Sequence, residues 1–445
     1  MCLWLTRTKD QTIDDKELLR NRMNTKRHDV VIIGAGGAGL STSYFLTQLG
    51  IEHIVLERGI VGNTWATERW DSFHLVNPNW AVRLPTFEYG GGAYGGEDPD
   101  GYLSRSETVD YLRRYAEHIG AYVRTGVEVK TLSEQDDGYE LQLGENGSIS
   151  CRAVVVATGA FGPPKVPTFA TKIPASINQI HSALYKNADQ LPTGAVLVVG
   201  SGQSGAQIAE DLWDAGRRVY LSVSKAGRRP RRYRGRDSSW WMRELGYFER
   251  NLDNIDDATR ERIRSGGGTG SGHVGGGKGG HDIYLRAFCR DGMVLLGSLA
   301  GAHGYLLDLQ QNLIENLRIA DDAAISFRRT IDEHIERTAM DLPLEENPDP
   351  PGLDGWPEAE SPHCIDLAAE GITSIVWATG FGYNYDWIEL PVGDERGYPI
   401  QRRGVSQWPG LYFMGLQWMY GSNSAQFYGV HEDARYVAEH IADSI

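Results

Sequence analysis

Two copies of a glycine-rich strand–loop–helix–strand pattern constrain the fold of this 445-residue chain more than any other feature. In the first copy, a β-branched run at 30–33 leads into Gly-Ala-Gly-Gly-Ala-Gly at 34–39. An apolar stretch at 40–49 ends at a glycine, and residues 54–57 form a second apolar run that ends in an acid. Such runs are typical of strands buried in a parallel sheet. The pattern therefore predicts a βαβ unit.

The glycines of this loop point to nucleotide binding. Gly34 permits the tight turn, Gly36 lets the backbone approach a pyrophosphate, and Gly39 lets helix and strand pack closely. The free N–H groups at the start of the helix would then face the phosphates. Glu57, about 20 residues further on, is placed to accept hydrogen bonds from a ribose hydroxyl. The first copy therefore predicts a dinucleotide-binding domain.

The same pattern returns at 195–223, with the loop sequence Gly-Ser-Gly-Gln-Ser-Gly at 200–205. The last loop glycine and the glycine that ends the helix have the same separation in both copies, from 39 to 50 and from 205 to 216. Two accidental matches at one spacing are improbable. We therefore predict an α/β fold with two Rossmann-like dinucleotide-binding domains.

The two copies differ at the position that contacts the ribose. Counted from the first loop glycine, Glu57 of the first copy corresponds to Val223 of the second. Ser224 and a run of basic residues that includes Arg228 and Arg229 follow Val223. A carboxylate would repel a 2′-phosphate, whereas hydroxyl and guanidinium groups would bind it. We therefore expect NADP(H) rather than NAD(H) at the second site. The alternative is that the arginines belong to a solvated loop or to a basic patch for a partner.

Two further apolar runs end in Ala-Thr-Gly, at 154–159 and 375–380, one on each side of the second copy. Their placement suggests that the chain leaves the first domain, forms the second and returns, so that the second domain is inserted in the first. The predicted organisation is a disordered leader (1–25), a first domain (26–162 plus 371–445) and a second domain (163–370) with an insertion at about 228–302.

The insertion contains a segment, 265–280, in which ten of sixteen residues are glycine. Ordering so many glycines costs too much backbone entropy for regular structure. Two interpretations remain open, a mobile lid over the active site and a disordered surface loop. Residues 308–337 have apolar positions at helical spacing and predict a helix, and a second helix is predicted at 430–441.

Charge and cysteine content disfavour several classes of protein. The formal net charge of −15 would repel a nucleic-acid backbone. No stretch approaches the roughly 20 apolar residues of a membrane span. The four cysteines are far apart and form no C-x-x-C pair, which argues against a disulfide framework, a cysteine-rich zinc site and a dithiol redox centre. A cytoplasmic location is therefore expected, and no histidine spacing suggests a metal site.

Together these motifs resemble the class B flavoprotein monooxygenases, and within them the bacterial flavin-containing-monooxygenase-like and N-hydroxylase-like oxidoreductases. The resemblance runs from about residue 26 to the end of the chain. It is carried by GAGGAG with Glu57, GSGQSG, the two ATG segments and the closing GLYFMGL…GVHEDARYVAEHI. It implies FAD at the first site and NADPH at the second.

The resemblance also implies a reaction. NADPH reduces FAD, the reduced flavin takes up O₂ as a (hydro)peroxyflavin, and one oxygen atom passes to a small organic substrate. Heteroatom hydroxylation is expected ahead of Baeyer–Villiger chemistry, because Ala175 and Ile177 stand where the family fingerprint has Phe and Gly before a histidine. The alternatives are a flavin-dependent NADPH reductase or dehydrogenase, and a non-catalytic redox-sensing flavoprotein. The group is compatible with a homodimer.

Site residues follow from the resemblance by position. Asn77 is expected beside the isoalloxazine ring, and His181 is expected at a hinge that couples the two domains, although an ordinary loop histidine is the alternative. Predicted FAD contacts are Gly34, Gly36, Gly39, Glu57 and, near the ring, Trp65. Predicted contacts to the NADP pyrophosphate are Gly200, Gly202, Ser204 and Gly205. Further predicted cofactor contacts are Gly37, Ala38, Arg58, Val129, Ala157, Thr158, Gly159, Ser201, Gln203, Ser224, Arg228, Arg229, Thr379, Gly380, Gly415 and Gln426.

Overall fold

The computed structural model describes residues 27–265, 272–345, 349, 352–353 and 355–445. Its strands are, in chain order, β1 (His28–Ile33), β2 (His53–Glu57), β3 (Arg83–Leu84), β4 (Phe87–Glu88), β5 (Val123–Thr125), β6 (Thr131–Gln135), β7 (Gly138–Gln142), β8 (Ser148–Val156), β9 (Asn178–His181), β10 (Ala195–Val199), β11 (Val219–Ser222), β12 (Arg232–Tyr233), β13 (Arg236–Asp237), β14 (Val294–Leu296), β15 (Leu299–His303), β16 (Leu306–Leu309), β17 (Cys364–Asp366), β18 (Ile372–Trp377), β19 (Gln401–Arg402), β20 (Val405–Ser406) and β21 (Leu411–Phe413). The α-helices are α1 (Gly37–Gln48), α2 (Asn63–Thr67), α3 (Arg105–His118), α4 (Gln203–Asp214), α5 (Ser238–Glu244), α6 (Asp257–Arg264), α7 (Leu285–Arg290), α8 (Leu313–Thr338) and α9 (Val430–Ala442). The predicted leader, 1–25, lies outside the described residues.

The first sheet is built around the first glycine loop. Its strand order is β19-β20-β21-β8-β1-β2-β5, with β6 and β7 joined to it beside β8. Strand β1 is parallel to both neighbours, and its last residue, Ile33, is paired with Val156 of β8 and Leu56 of β2. Residues 30–32 have no exposed surface, which explains the unbroken β-branched run, since both faces of this strand are covered.

The second sheet repeats this arrangement around the second loop. Its strand order is β14-β11-β10-β18-β9, and β10 is parallel to both β11 and β18. Val199, at the end of β10, is paired with Ser222 and Trp377. Val223 thus follows its paired strand residue as Glu57 does in the first sheet, which confirms that the two positions correspond. The predicted α/β fold with two dinucleotide-binding domains is also confirmed.

One predicted domain boundary is wrong. The sequence predicts that the first domain resumes at residue 371, so that the strand at 375–380 belongs to it. Instead, β18 pairs in parallel with β10 and β9, and it takes the place in the second sheet that β8 has in the first. Each domain therefore contains its own strand ending in Ala-Thr-Gly. The chain re-enters the first sheet at β19 and β20, which lead to β21 beside β8.

Helices cover the sheets and complete the core. Helix α9 packs on α1, and their buried residues join those of β1, β8 and β21 in one large apolar cluster. The helix predicted at 430–441 is α9, whereas the segment predicted as helix at 308–337 begins as strand β16 and becomes helical only at α8. Among the described residues, no helix is both long and apolar enough to cross a membrane.

Candidate active site

The first glycine loop leans on the strand that ends in Ala-Thr-Gly. Gly34 has a φ of +108°, and a Cβ on it would overlap the carbonyl oxygen of Ala157. A Cβ on Gly39, in the first turn of α1, would overlap the carbonyl oxygen of Gly34. Both positions therefore require glycine for backbone reasons. The Cα of the next residue, Thr158, lies 3.5 Å from where the Gly34 Cβ would be. Gly159 follows it with a φ of +96°.

Gly36 differs from its neighbours because the space beside it is open. No atom of the described residues comes within 4 Å of the place where its Cβ would be, and its φ of −89° is one that any residue adopts. The glycine is therefore not needed for the fold. An open approach to the N-terminus of α1 is what a pyrophosphate requires, so the residues present fit a dinucleotide.

Glu57 lies at the carboxyl end of β2 and is only 7% exposed. Its Oε2 accepts a hydrogen bond from the N–H of Ala35 at 2.9 Å, and its Oε1 accepts one from the N–H of Gly59 at 2.8 Å. These bonds hold the acid beside the glycine loop, at the position expected for a ribose contact. The neighbouring Arg58 is 61% exposed in its side chain and is paired with Glu68 at 3.1 Å. Val129, which follows β5 in the chain, is partly buried against the large apolar cluster.

A polar and aromatic cluster lies on the other side of the first loop. The Asn77 Nδ2 donates to the Oε1 of Gln426 at 3.0 Å, so the structure brings these two predicted site residues together. Trp65 is stacked on Phe427 with 5.7 Å between ring centroids. The Phe427 ring lies 2.9 Å from where a Cβ on Gly37 would be. Phe427 was not predicted, because nothing in the spacing of this loop distinguishes it from other aromatic residues.

Gly415 closes the cluster from the end of β21. Its φ is +74°, and a Cβ on it would come within 2.8 Å of the Ala38 Cβ in the first turn of α1. The strand end and the glycine loop are therefore in direct contact. This contact places the loop that carries Gln426 next to the N-terminus of α1.

The second glycine loop reproduces the geometry of the first. Gly200 has a φ of +97°, and a Cβ on it would lie 2.6 Å from the carbonyl oxygen of Ala378. A Cβ on Gly205 would overlap the carbonyl oxygen of Gly200, while the space beside Gly202 is open for 4 Å among the described residues. Ser204 lies partly exposed in the first turn of α4. This loop therefore fits a second dinucleotide.

The polar residues at the far end of the second site are connected to one another. The Ser224 N–H donates to the Ser201 Oγ at 3.0 Å, and the Ser201 N–H donates to the Ser224 Oγ at 3.3 Å. Ser224 thus lies directly beside the glycine loop, as predicted for a residue near the ribose. Lys225 follows it and is exposed.

Arg228 is not placed as the 2′-phosphate prediction requires. Its Nε donates to Asp321 at 2.9 Å, its Nη1 donates to Asp349 at 3.0 Å, and its guanidinium lies 4.0 Å from the Tyr284 ring. The same two carboxylates also pair with Arg286 and Arg328, and Arg228 is only 6% exposed. Its buried guanidinium is therefore not open to a phosphate. Among the described residues, Arg229 forms no ion pair, and its Nη1 contacts the Met242 sulfur at 2.9 Å. Burial lowers the pKa of Arg229 to about 10.

His181 lies at the end of β9, next to the Ala-Thr-Gly turn of β18. Its Nδ1 accepts a hydrogen bond from the Ala183 N–H at 3.2 Å, so its Nε2 carries the proton and donates to the Gly380 carbonyl at 3.0 Å. Burial lowers the pKa of His181, which favours this neutral form. The Thr379 hydroxyl donates to the Lys165 carbonyl. Lys165 lies in the crossover, residues 157–177, which joins β8 of the first sheet to β9 of the second. The predicted hinge residue is therefore bonded to the strand end beside the crossover.

Part of the glycine-rich insertion lies against the second loop. Residues 266–271 fall outside the described residues, but Val274 is fully buried. Its N–H donates to the Gln203 Oε1 at 3.3 Å, and its carbonyl accepts from the Gln203 Nε2. His281 is bonded to Glu210 of α4 at 2.9 Å. This part of the segment is therefore packed along α4 instead of lying free on the surface.

The described residues contain no group of three or more His, Cys, Asp or Glu side chains that could hold a metal ion. Cys151, Cys289 and Cys364 are free thiols. Burial raises the pKa of Cys151 to about 12, which makes it unreactive at neutral pH.

Comparison with known proteins agrees with this geometry. The family model for pyridine nucleotide-disulphide oxidoreductases matches residues 31–265. An uncharacterized CzcO-like oxidoreductase of Geobacillus kaustophilus is 32% identical over 419 residues, which are 93% of this chain and 98% of the relative. The indole-3-pyruvate monooxygenase YUCCA6 of Arabidopsis thaliana is 31% identical over 204 residues, 44% of this chain and 48% of that protein.

Solved structures show the same fold. A flavin-containing monooxygenase of Stenotrophomonas maltophilia matches with a TM-score of 0.61 at 19% identity, and the match covers 94% of this chain and 99% of that one. The structure of OTEMO in complex with FAD and NADP matches with a TM-score of 0.54 at 17% identity over 94% of this chain and 85% of that one. The predicted pair of cofactors agrees with the pair bound there. The chain therefore belongs to the pyridine nucleotide-disulphide oxidoreductase family and is an oxidoreductase with the fold of the flavin-containing monooxygenases.

Proposed function

We propose that the chain is an FAD- and NADPH-dependent monooxygenase that inserts one oxygen atom of O₂ into a small organic substrate at nitrogen or sulfur. One observation carries the proposal: two glycine loops have the same geometry but opposite chemistry at the ribose end. The first ends in the buried acid Glu57, whereas the second ends in Val223 followed by Ser224. This asymmetry supports one cofactor without a 2′-phosphate and one with it.

The first site would hold FAD through groups already in place. The open side of Gly36 admits the pyrophosphate to the N–H groups at the start of α1, and Glu57 would turn from loop amides to ribose hydroxyls. At the second site, Gly202 would admit the NADPH pyrophosphate, with Ser204 at the helix start and Ser224 near the 2′-phosphate. When bound, the two cofactors supply the electrons that reduce O₂ and the transfer of one oxygen atom.

The residues of the chain orient and shield this chemistry. The hydrogen bond from Asn77 to Gln426 fixes the orientation of the Asn77 amide. Its carbonyl oxygen and its remaining N–H would therefore meet the isoalloxazine ring in one defined orientation. Trp65 and Phe427 stack beside it and keep water away. His181, neutral and bonded to Gly380, would transmit the movement of one domain to the other. The predicted cytoplasmic location and homodimer stay predictions.

The names of the matched proteins support the oxygenase proposal, since a flavin-containing monooxygenase and an indole-3-pyruvate monooxygenase are among them. The absence of a C-x-x-C pair in the sequence supports it against a dithiol reductase.

Isotope labelling tests the proposal. The purified protein is supplied with NADPH, ¹⁸O₂ and a panel of small tertiary amines and thioethers, and the products are analysed by mass spectrometry. One labelled oxygen atom in an N-oxide or S-oxide is the expected result. Asn77→Ala is expected to consume NADPH but to release more of the oxygen as hydrogen peroxide. Label found only in peroxide and water, for every member of the panel, would favour a reductase or oxidase instead.

A further inference from the structure

Arg69 lies in a box of aromatic rings at the end of α2. Its guanidinium carbon is 5.2 Å from the centre of the Trp65 ring, 5.8 Å from that of Phe73 and 5.2 Å from that of Phe161. Contacts of this kind attract a cation to the ring faces. Trp65 and Phe73 flank Arg69 in the chain, whereas Phe161 comes from the segment after β8, so the complete box exists only in the folded protein.

The box lies where the carboxyl ends of both sheets meet. Trp65 stacks on Phe427, which touches the first glycine loop. Phe161 follows the Ala-Thr-Gly turn of β8, and its ring centre is 5.1 Å from that of Phe381, which follows the corresponding turn of β18. In open α/β sheets, ligands bind outside the carboxyl ends of the strands. Arg69 is therefore positioned between the two proposed cofactor sites.

The charge of Arg69 has no carboxylate partner within ion-pair distance in the part of the chain that the structure describes. Its Nη1 donates a hydrogen bond to the backbone carbonyl of Glu68 at 2.8 Å. The carboxylate of Glu68 pairs with Arg58, and that of Asp71 pairs with Arg105 at 3.1 Å. Burial lowers the pKa of Arg69, because a desolvated guanidinium is less stable in its charged form.

Positive charge exceeds negative charge around the box. Lys186 reaches into the same region and donates to the carbonyl of Arg69 at 3.0 Å. The group comprises four cations (Arg58, Arg69, Arg105 and Lys186) and two carboxylates (Glu68 and Asp71). A partly buried cation in such surroundings favours an added anion, since the two charges would neutralise each other away from water.

An exposed apolar side chain lies beside this cation. Phe161, whose ring centre is 5.2 Å from the Arg69 guanidinium, is 41% exposed although it is large and apolar. Exposed apolar surface next to a binding site is typical of a ligand contact.

We propose that Arg69 binds the anionic group of the substrate, and that the substrate is a small molecule with an apolar, ring-sized body and a carboxylate. The inference rests on the proposed monooxygenase function, since it names the substrate class of that site. The planar guanidinium would bind the carboxylate through two parallel hydrogen bonds. The apolar body would rest on Phe161, in reach of the proposed flavin site.

Ligand binding to the oxidised holoprotein tests the inference without oxygen transfer. The flavin absorbance is recorded while phenylacetate, 3-phenylpropanoate or 4-phenylbutanoate is added, and each titration is repeated with the neutral amide of the same acid. The variants are Arg69→Gln, Arg69→Lys and the control Arg329→Gln, which removes an exposed arginine of α8. FAD content and the KM for NADPH are measured for each variant.

We expect at least one acid to bind about tenfold or more tightly than its amide, as for a charge-assisted hydrogen bond. Arg69→Gln should abolish this preference while amide binding, FAD content and the KM for NADPH stay unchanged. Arg69→Lys should keep part of the preference, and Arg329→Gln all of it. Equal binding of acid and amide, or no flavin response to any of the three acids, would overturn the inference. So would equal weakening of acid and amide by Arg69→Gln. Purification of the protein without FAD, or the absence of labelled product in the ¹⁸O₂ experiment, would instead contradict the proposed function itself.

Discussion

Replacing Gly202 by alanine should separate cofactor binding from folding at the second site. Gly202 is the N-cap of α4, with φ −63° and ψ −178°, and the described residues leave the space for a Cβ open. Alanine therefore fits the backbone, and a poorer N-cap should lower the free energy of unfolding by no more than about 1 kcal/mol. A bound pyrophosphate, however, would meet the new Cβ, which projects about 1.5 Å from the Cα.

The expected loss follows from the hydrogen bonds that this methyl group would lengthen. One hydrogen bond to a charged phosphate contributes about 1.5 to 3 kcal/mol, so weakening a single bond raises the NADPH concentration needed by about tenfold to a hundredfold. The assay is anaerobic reduction of the bound flavin at increasing NADPH, together with FAD content and urea denaturation. Gly92→Ala is the matched control, since the space beside Gly92 is also open among the described residues.

Two results would refute this reasoning. If Gly202→Ala used NADPH as the wild type does, the second loop would not be the NADPH site. If the variant lost FAD while remaining folded, the two cofactors would be assigned to the wrong loops.

Three further predictions follow from the contacts of other residues. Glu57→Gln should weaken FAD binding by about tenfold, because one charged acceptor beside the first loop is lost; retention of FAD on dialysis measures it, and undiminished retention would contradict it. Asp321→Asn should lower the free energy of unfolding by about 3 kcal/mol, because Arg228 then stays buried with one carboxylate fewer. The exposed Asp257→Asn should change it by less than about 1 kcal/mol, and equal effects in urea denaturation would disprove the difference. The hydrogen bond to a carboxylate on α4 raises the pKa of His281. The charged form of His281 therefore stabilises the fold fully below about pH 6.5, and this contribution declines as the pH rises through the higher folded-state pKa. Denaturation at a series of pH values should show the decline in the wild type but not in His281→Gln.

The βαβ units could be predicted because their signals are local. The glycine loops, the buried strands before them and the acid at Glu57 lie within short stretches of sequence, and the register of β1 and β10 agrees with the predicted correspondence of Glu57 and Val223. The bounds differ by a few residues only, as for α9. Asn77 and Gln426 were also predicted as site residues, from family resemblance, and the structure brings them together.

Features that depend on pairing across the chain could not be predicted. Strand β18 resembles β8 in sequence, but only strand pairing shows that it belongs to the second sheet. Arg228 lies shortly after the second glycine loop in the sequence, yet it forms ion pairs with Asp321 and Asp349, which lie far along the chain. The box around Arg69 combines Trp65 and Phe73 of one segment with Phe161 of another, so no local pattern shows the complete box.

We propose that the first glycine loop binds FAD and that the second binds NADPH. Anaerobic addition of NADPH to the purified protein tests this assignment most directly. The protein is expected to carry FAD, and NADPH should bleach the flavin absorbance at concentrations far below those of NADH that give the same effect. A protein that retains no flavin would contradict a first loop built for FAD. Reduction that does not distinguish NADPH from NADH would contradict a second loop built for a 2′-phosphate.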